Sequence, residues 1–266
     1  MLSKLRIGGG DLAYEARGAG PPVLLLHAFP LGLVMWDEQV QVLEPHHLAI
    51  RFDCRGFGAS PPGEGLLSME KIADDAVALL DRLGVSQAAV CGLSMGGYAA
   101  FALVRRHPDR LRGLVLADTR PGADSEEVRK NRSLLSDTVR REGAAAAAAA
   151  LVPALLGKTS QAERPEVVAK VRAIIEGNSP RGICDALAGL AARTDSGPTL
   201  REIRVPTLIL CGEEDMLTPV AEAEAMARAI PGSRLEVIPR AGHLANLENP
   251  QAFGAALCGF VSSLAT

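Results

Sequence analysis

The stretch from Ala88 to Val104 reads AAVCGLSMGGYAAFALV. Its first four residues are apolar and too few for a helix, which suits a buried strand. From Met95 the apolar run is longer, and it stops near His107 and Pro108 as a helix does. Gly92-Leu93-Ser94-Met95-Gly96 sits at the junction, a G-x-S-x-G pattern. A serine on such a strand-to-helix turn holds its hydroxyl out of a strained backbone, and the flanking glycines leave no side chains where the two elements press together. The helix start offers unpaired N–H groups and a positive dipole end, which suit a developing oxyanion. The bland alternative is that Ser94 caps the helix and nothing more.

Outward from that junction, strands and helices alternate. Leu12 to Ala16 alternates like a half-exposed strand, while Val23 to Leu26 and Leu48 to Phe52 are short apolar runs. Met35 to Leu43 reads as a short helix carrying Trp36. Ser68 to Leu83 carries a helical apolar stripe, with Ser68 as N-cap and Gly84 as terminator. Leu111 to Ala117 is the next strand and ends at Asp118. This alternation implies an α/β protein with a mostly parallel sheet covered on both faces.

From about 120 to 199 the pattern changes. No strand-like run stands out, helix formers dominate, and arginines such as Arg129, Arg132, Arg140 and Arg141 alternate with acids. Three or four short helices are expected here, with Ala144 to Ala150 in a packed small-residue helix because Leu151, Val152, Leu155 and Leu156 follow it. Sheet character returns at Val205 to Cys211 and again at Leu235 to Ile238. Pro219 to Ile230 reads as a helix with Thr218 as N-cap, and Pro250 to Leu264 as a terminal helix. The expected organisation is a core at 1–119, an inserted helical unit at 120–199 and the rest of the core at 200–266.

Composition narrows the function classes. At 266 residues, 48% hydrophobic and 22% charged, the chain is neither disordered nor fibrous. A formal charge of −3 argues against nucleic acid as a partner. No apolar run approaches the ~20 residues of a membrane span, so no membrane is expected as a partner. Ser3 to Asp11 lacks the apolar core of a secretory leader. Cys54, Cys91, Cys184, Cys211 and Cys258 form no C-x-x-C pair, which fits a reducing, cytoplasmic setting. No metal-ligand spacing is visible, and the Gly8-Gly9-Gly10 run lacks the Lys and Ser/Thr of a phosphate loop. No metal and no organic cofactor are expected.

A serine nucleophile needs a base, and the base needs an acid. Among His27, His46, His47, His107 and His243, the last follows the final strand and precedes the terminal helix, which makes it the base. His107 reads as a helix terminator, His46 and His47 as solvated, and His27 as a bridge between loop backbone groups. Asp215 follows the Val205 to Cys211 strand and gives the chain order Ser94, Asp215, His243. Glu213 and Glu214 are neighbouring decoys, Asp118 is the runner-up acid, and Asp53 reads as a loop tie. The oxyanion donors are expected to be the N–H of Met95 and the N–H of Phe29, in the loop after Val23 to Leu26.

Five segments together resemble the alpha/beta-hydrolase superfamily: HAFPLG from His27, FDCRGFGAS from Phe52, GLSMGG from Gly92, GEEDMLTP from Gly212 and AGHLANLENP from Ala241. Within it the chain looks most like the small carboxylesterases and the 3-oxoadipate enol-lactonase group. The resemblance implies an eight-stranded alpha/beta-hydrolase fold, a cap formed by the insertion, a Ser94-Asp215-His243 triad and an oxyanion hole from Phe29 and Met95. A haloalkane dehalogenase would carry Asp at position 94. The expected activity is hydrolysis of small carboxylic esters through an acyl-enzyme. The alternatives are an enol-lactonase-type lactonase, a cofactor-free haloperoxidase or perhydrolase, and a non-enzymatic binder of small ligands. Trp36, Leu134, Leu155, Ile183 and Leu244 are the expected pocket residues, with Leu135, Leu151 and Leu156 as further candidates and the cap arginines as a site for a substrate carboxylate. A monomer and a homodimer both stay open.

Overall fold

The computed structural model describes residues 2–8 and 10–264. Met1, residues 265–266 and Gly9 of the glycine run lie outside the described residues. Elements are numbered along the chain. The strands are β1 (Ser3–Ile7), β2 (Gly10–Arg17), β3 (Pro22–Leu26), β4 (Leu48–Phe52), β5 (Ala88–Leu93), β6 (Leu111–Ala117), β7 (Thr207–Gly212) and β8 (Arg234–Ile238). They form one sheet in the order β1-β2-β4-β3-β5-β6-β7-β8. β1 and β2 run antiparallel to their neighbours, and all pairs from β4 to β8 are parallel.

The strand sequences account for this layout. β5 and β7 are buried along their whole length, as strands covered on both faces should be. β1 buries only Leu5, and its exposed Lys4 and Arg6 suit an edge. α2 (Met69–Arg82) and α3 (Met95–Arg106) pack beside each other, and Ser68 caps α2 by accepting the Lys71 N–H. Every residue of α3 from Met95 to Val104 is buried, so this helix is a core element. Truncating Phe101, fully buried within it, costs about 3–5 kcal/mol.

A 3-10 turn (Leu33–Trp36) leads into α1 (Asp37–Leu43), and α9 (Val220–Ala229), α10 (Ala245–Glu248) and α11 (Pro250–Ser263) complete the helices around the sheet. The segment between β6 and β7 holds five α-helices and a 3-10 turn (Pro198–Glu202), where three or four helices were expected. The α-helices are α4 (Glu126–Glu142), α5 (Ala144–Leu155), α6 (Lys158–Glu163), α7 (Pro165–Glu176) and α8 (Pro180–Ala192). The alanine run is helical, and Ala144, Ala147 and Ala148 are buried on one face of α5.

Two local expectations fail. Pro219 itself is the N-cap of α9, because the Thr218 hydroxyl is drawn to Asp215 instead. His47 is buried rather than solvated, while His46 stays exposed. Among the described residues no helix is long and apolar enough to cross a membrane.

Parallel register brings the strand ends to one edge. Leu26 pairs with Gly92, Leu93 with Ala117, Ala117 with Leu210 and Gly212 with Ile238. The loops after β3, β5, β6, β7 and β8 therefore open side by side.

Candidate active site

Ser94 is the turn between β5 and α3, with φ at +54°. Its N–H donates to the Ala117 carbonyl at 2.9 Å, and Thr119 Oγ1 donates to its carbonyl at 3.0 Å. A Cβ on Gly92 would strike the Gly96 carbonyl, and one on Gly96 would strike the Leu26 carbonyl. Both glycines are thus demanded by the close approach of α3 to the sheet. Ser94 Oγ lies 2.8 Å from His243 Nε2, and His243 Nδ1 lies 2.8 Å from Asp215 Oδ2. With the Nδ1 proton donated to the carboxylate, Nε2 is left to accept from the serine hydroxyl.

Each member is braced from outside the set. Asp215 Oδ1 accepts the N–H groups of Leu217 at 2.8 Å and Thr218 at 3.0 Å, and Oδ2 accepts the Thr218 hydroxyl at 2.5 Å. Burial pushes the Asp215 carboxyl up, but His243 and Thr218 outweigh it and hold it below the usual carboxylate range. The buried Glu248 carboxylate accepts the N–H groups of Gly242 at 2.9 Å and Leu244 at 3.2 Å, on either side of His243. It also accepts the Gly157 N–H at 2.8 Å. Glu214 binds the Thr159 N–H and hydroxyl at 2.8 and 2.5 Å. Glu213 accepts the Arg240 N–H at 3.0 Å. Both acids next to Asp215 are therefore engaged elsewhere.

The other acids and histidines have separate roles. Asp118 Oδ1 accepts the Gly212 N–H at 2.7 Å, whereas its buried Oδ2 has no hydrogen-bond partner. Burial, reinforced by the Asp215 charge, pushes the Asp118 carboxyl well up. Asp53 ties Leu33 and Ala59 N–H groups at 2.7 and 2.9 Å. His27 bridges the Ala28 carbonyl and the Cys54 N–H, both at 2.9 Å, and burial holds its pKa low. His107 ends α3 and pairs with Asp74 at 2.7 Å.

A pocket of about 430 Å³ opens above Ser94 and His243. Apolar side chains from α4, α5 and α8 line much of it, among them Val128, Leu135, Leu151, Leu155, Leu187 and Leu190. Phe29, Tyr98, Met216, Leu217 and Thr218 join them from the core loops and α3. Its polar side carries Arg120, Asn131 and Arg132. Behind these, the Asp124 carboxylate meets Arg132 at 2.5 Å, Arg193 at 2.6 Å and Arg120 at 3.7 Å. Three guanidinium groups thus share one buried carboxylate.

Asp118, Cys211 and Asp215 bring ligand atoms within 4.8 Å of one another. Their chemistry does not suit a cation. Both Asp215 oxygens already accept hydrogen bonds, and burial drives Asp118 and the Cys211 thiol toward their neutral forms.

Residues 21–250 match the alpha/beta hydrolase fold family. The chain belongs to that family. It is 30% identical over 237 residues to 3-oxoadipate enol-lactonase 2 of Acinetobacter baylyi, covering 89% of this chain and 87% of that protein. A thermophilic esterase from Thermogutta terrifontis, solved with malate bound, superposes with a TM-score of 0.96 at 40% identity over 100% of both chains. The enol-lactonase of Burkholderia xenovorans superposes with a TM-score of 0.91 at 30% identity, covering 98% of this chain and 100% of that one.

On this alpha/beta-hydrolase frame the expected site residues divide. Ser94, Asp215 and His243 meet as described. Met95 opens α3 directly after Ser94, whose carbonyl takes the Gly97 and Tyr98 N–H groups at 2.9 and 3.1 Å, and Phe29 lies in the loop after β3 with its side chain on the pocket. Leu155 also lines the pocket, with Leu135 and Leu151. Leu134 does not: it is 57% exposed, because one helical step turns it away from Leu135. Ile183 is fully buried inside the helical insert, and α8 presents Leu187 and Leu190 instead. Leu156 and Leu244 are buried off the pocket. Trp36 is wholly buried against Phe253, ring centroids 6.0 Å apart, and serves the core rather than the pocket mouth.

Thr218, Glu248 and Arg120 went unrecognised as site residues. Thr218 and Glu248 stand in the quoted GEEDMLTP and AGHLANLENP segments, so the signal lay in the motif and not in the residue type. Arg120, between β6 and α4, carried no local signal.

Proposed function

We propose that this alpha/beta hydrolase is a serine esterase of small carboxylic esters. The observation that carries the reading is the unbroken chain Ser94 Oγ, His243 Nε2, His243 Nδ1, Asp215 Oδ2, with 2.8 Å at both links, at the base of a largely apolar pocket. His243 takes the Ser94 proton as Oγ attacks the ester carbonyl. The N–H groups of Phe29 and Met95 receive the oxyanion, and each such donor is worth roughly a hundred- to thousandfold in rate. His243 returns its proton to the leaving alcohol, and water then releases the acid by the reverse route. In this reading α4–α8 form the cap, and 1–119 and 200–266 are the two parts of the catalytic core.

A second reading, hydrolysis of an acidic ester or lactone, is favoured by one observation. Around Asp124 three arginines face one carboxylate, and Arg120 and Arg132 reach the pocket lining. The surplus positive charge suits a substrate carboxylate. The test for both is one panel of neutral p-nitrophenyl esters, dicarboxylic half-esters and simple lactones, with wild type beside Ser94→Ala. Turnover that Ser94→Ala abolishes supports the serine hydrolase, and a preference for half-esters or acidic lactones supports the second reading. Turnover that survives Ser94→Ala overturns both.

A further inference from the structure

Asn178 lies between α7 and α8, inside the helical insert, and is only 5% exposed. Its side chain makes four hydrogen bonds, three of them to the core. Nδ2 donates to the Pro30 carbonyl at 2.8 Å and the Leu31 carbonyl at 3.3 Å, and also to the Ile174 carbonyl of α7 at 3.0 Å. Oδ1 accepts the Gly58 N–H at 2.7 Å. Pro30 and Leu31 directly follow Phe29 in the loop that faces Ser94. That loop is gripped from the core by Asp53, which takes the Leu33 N–H at 2.7 Å. From the insert it is gripped by Asn178. A planar amide is the side chain that can do both tasks at once, because it donates to carbonyls on one side and accepts an N–H on the other.

We propose that Asn178 is a positioning residue for the oxyanion hole, a strut through which the helical insert fixes the loop that carries the Phe29 N–H. The inference rests on the serine-esterase reading for its catalytic consequence, but its structural content stands apart from it. A donor must sit within hydrogen-bond reach of where the oxyanion forms, so a small displacement of the loop weakens transition-state binding more than substrate binding. The strut makes the insert part of the catalytic machinery, since any shift of the α7–α8 junction is passed to the Pro30 and Leu31 carbonyls.

The deciding variant is Asn178→Asp, which keeps the acceptor for Gly58 but replaces the donor facing Pro30 and Leu31 with a second oxygen. Asn178→Ala serves as the companion that introduces no charge. Two readouts are needed. The first is amide hydrogen exchange, which requires no substrate. Residues 28–33 should exchange about tenfold faster in either variant, with α3 unchanged. Unchanged protection of that loop overturns the strut whatever the enzyme does. The second is kinetics per titrated active site on the best ester from wild type. The expected result is kcat lower by about a hundredfold with KM within about twofold. An arylboronic acid, which mimics the tetrahedral species, should lose affinity to match, while a ground-state amide analogue should not. Equal losses for boronate and amide, or kcat per site near wild type, overturn the catalytic role.

Discussion

The turns after β6 and β7 make an instructive pair. Each follows a parallel strand and carries a buried aspartate, Asp118 and Asp215, at 1% and 3% exposure. Burial presses both carboxyls toward the neutral form. At Asp215 the turn curls so that two backbone N–H groups, the Thr218 hydroxyl and His243 all reach the carboxylate, and its pKa falls. At Asp118 the Gly212 amide does not offset burial and the Asp215 charge, and its pKa rises. Both acids are buried in the turn that follows a parallel strand, Asp118 directly after β6 and Asp215 three residues after β7. The donors supplied by the following turn decide which acid stays charged and can hold an imidazolium beside it.

Three substitutions test that difference, in descending order of effect. Asp215→Asn removes the charge opposite His243 and invites the wrong tautomer. It should lower kcat about ten-thousandfold in ester turnover, with the fold intact by circular dichroism. Thr218→Val keeps the shape but deletes the hydroxyl donor to Asp215 Oδ2, and kcat should fall about tenfold, the weight of one hydrogen bond to a charged group. Asp118→Asn should leave kcat within about threefold, because its amide oxygen can still accept the Gly212 N–H. A large loss there would reverse the assignment of the two acids.

The same two acids should pull stability in opposite directions with pH. Asp215, lowered by folding, contributes stability above the unfolded carboxylate pKa, and this is lost as pH falls through the folded value. Asp118, raised by folding, keeps a proton that the unfolded chain releases, so its contribution is present at low pH and is lost as pH rises. The Tm of Asp118→Asn, measured against wild type from about pH 4 to about pH 8, should therefore gain a few degrees as pH increases. A Tm difference that stays flat across that range would mean that Asp118 is charged when folded.

The sequence exposed the parts whose physics is local. The apolar run to Cys91, the glycines around Ser94 and the stripe of α2 each follow from neighbours within a turn or two. The chain order of Ser94, Asp215 and His243 was legible for the same reason, because each follows a recognisable strand. Side-chain direction in the insert was not. Leu134 and Leu135 are equivalent by composition, and only the packing of α4 turns one to solvent and the other to the pocket. Trp36 is a second case, because a single tryptophan in a short helical stretch gives no sign that Phe253, 217 positions on, will cover it. The long-range polar ties stayed hidden too. Glu248 to Gly157 and Asn178 to Pro30 span 91 and 148 positions, and nothing in either residue names its partner.

The most direct test is to trap the intermediate. Wild type and Ser94→Ala are mixed with p-nitrophenyl acetate, quenched in acid within the first turnover, digested and examined by peptide mass spectrometry. The expected result is one acetyl group on the wild-type peptide that contains Ser94 and none on the variant, with the p-nitrophenol burst lost. Acetyl on a different residue, or an equal burst from both proteins, would contradict the assignment of Ser94 as the nucleophile served by His243 and Asp215.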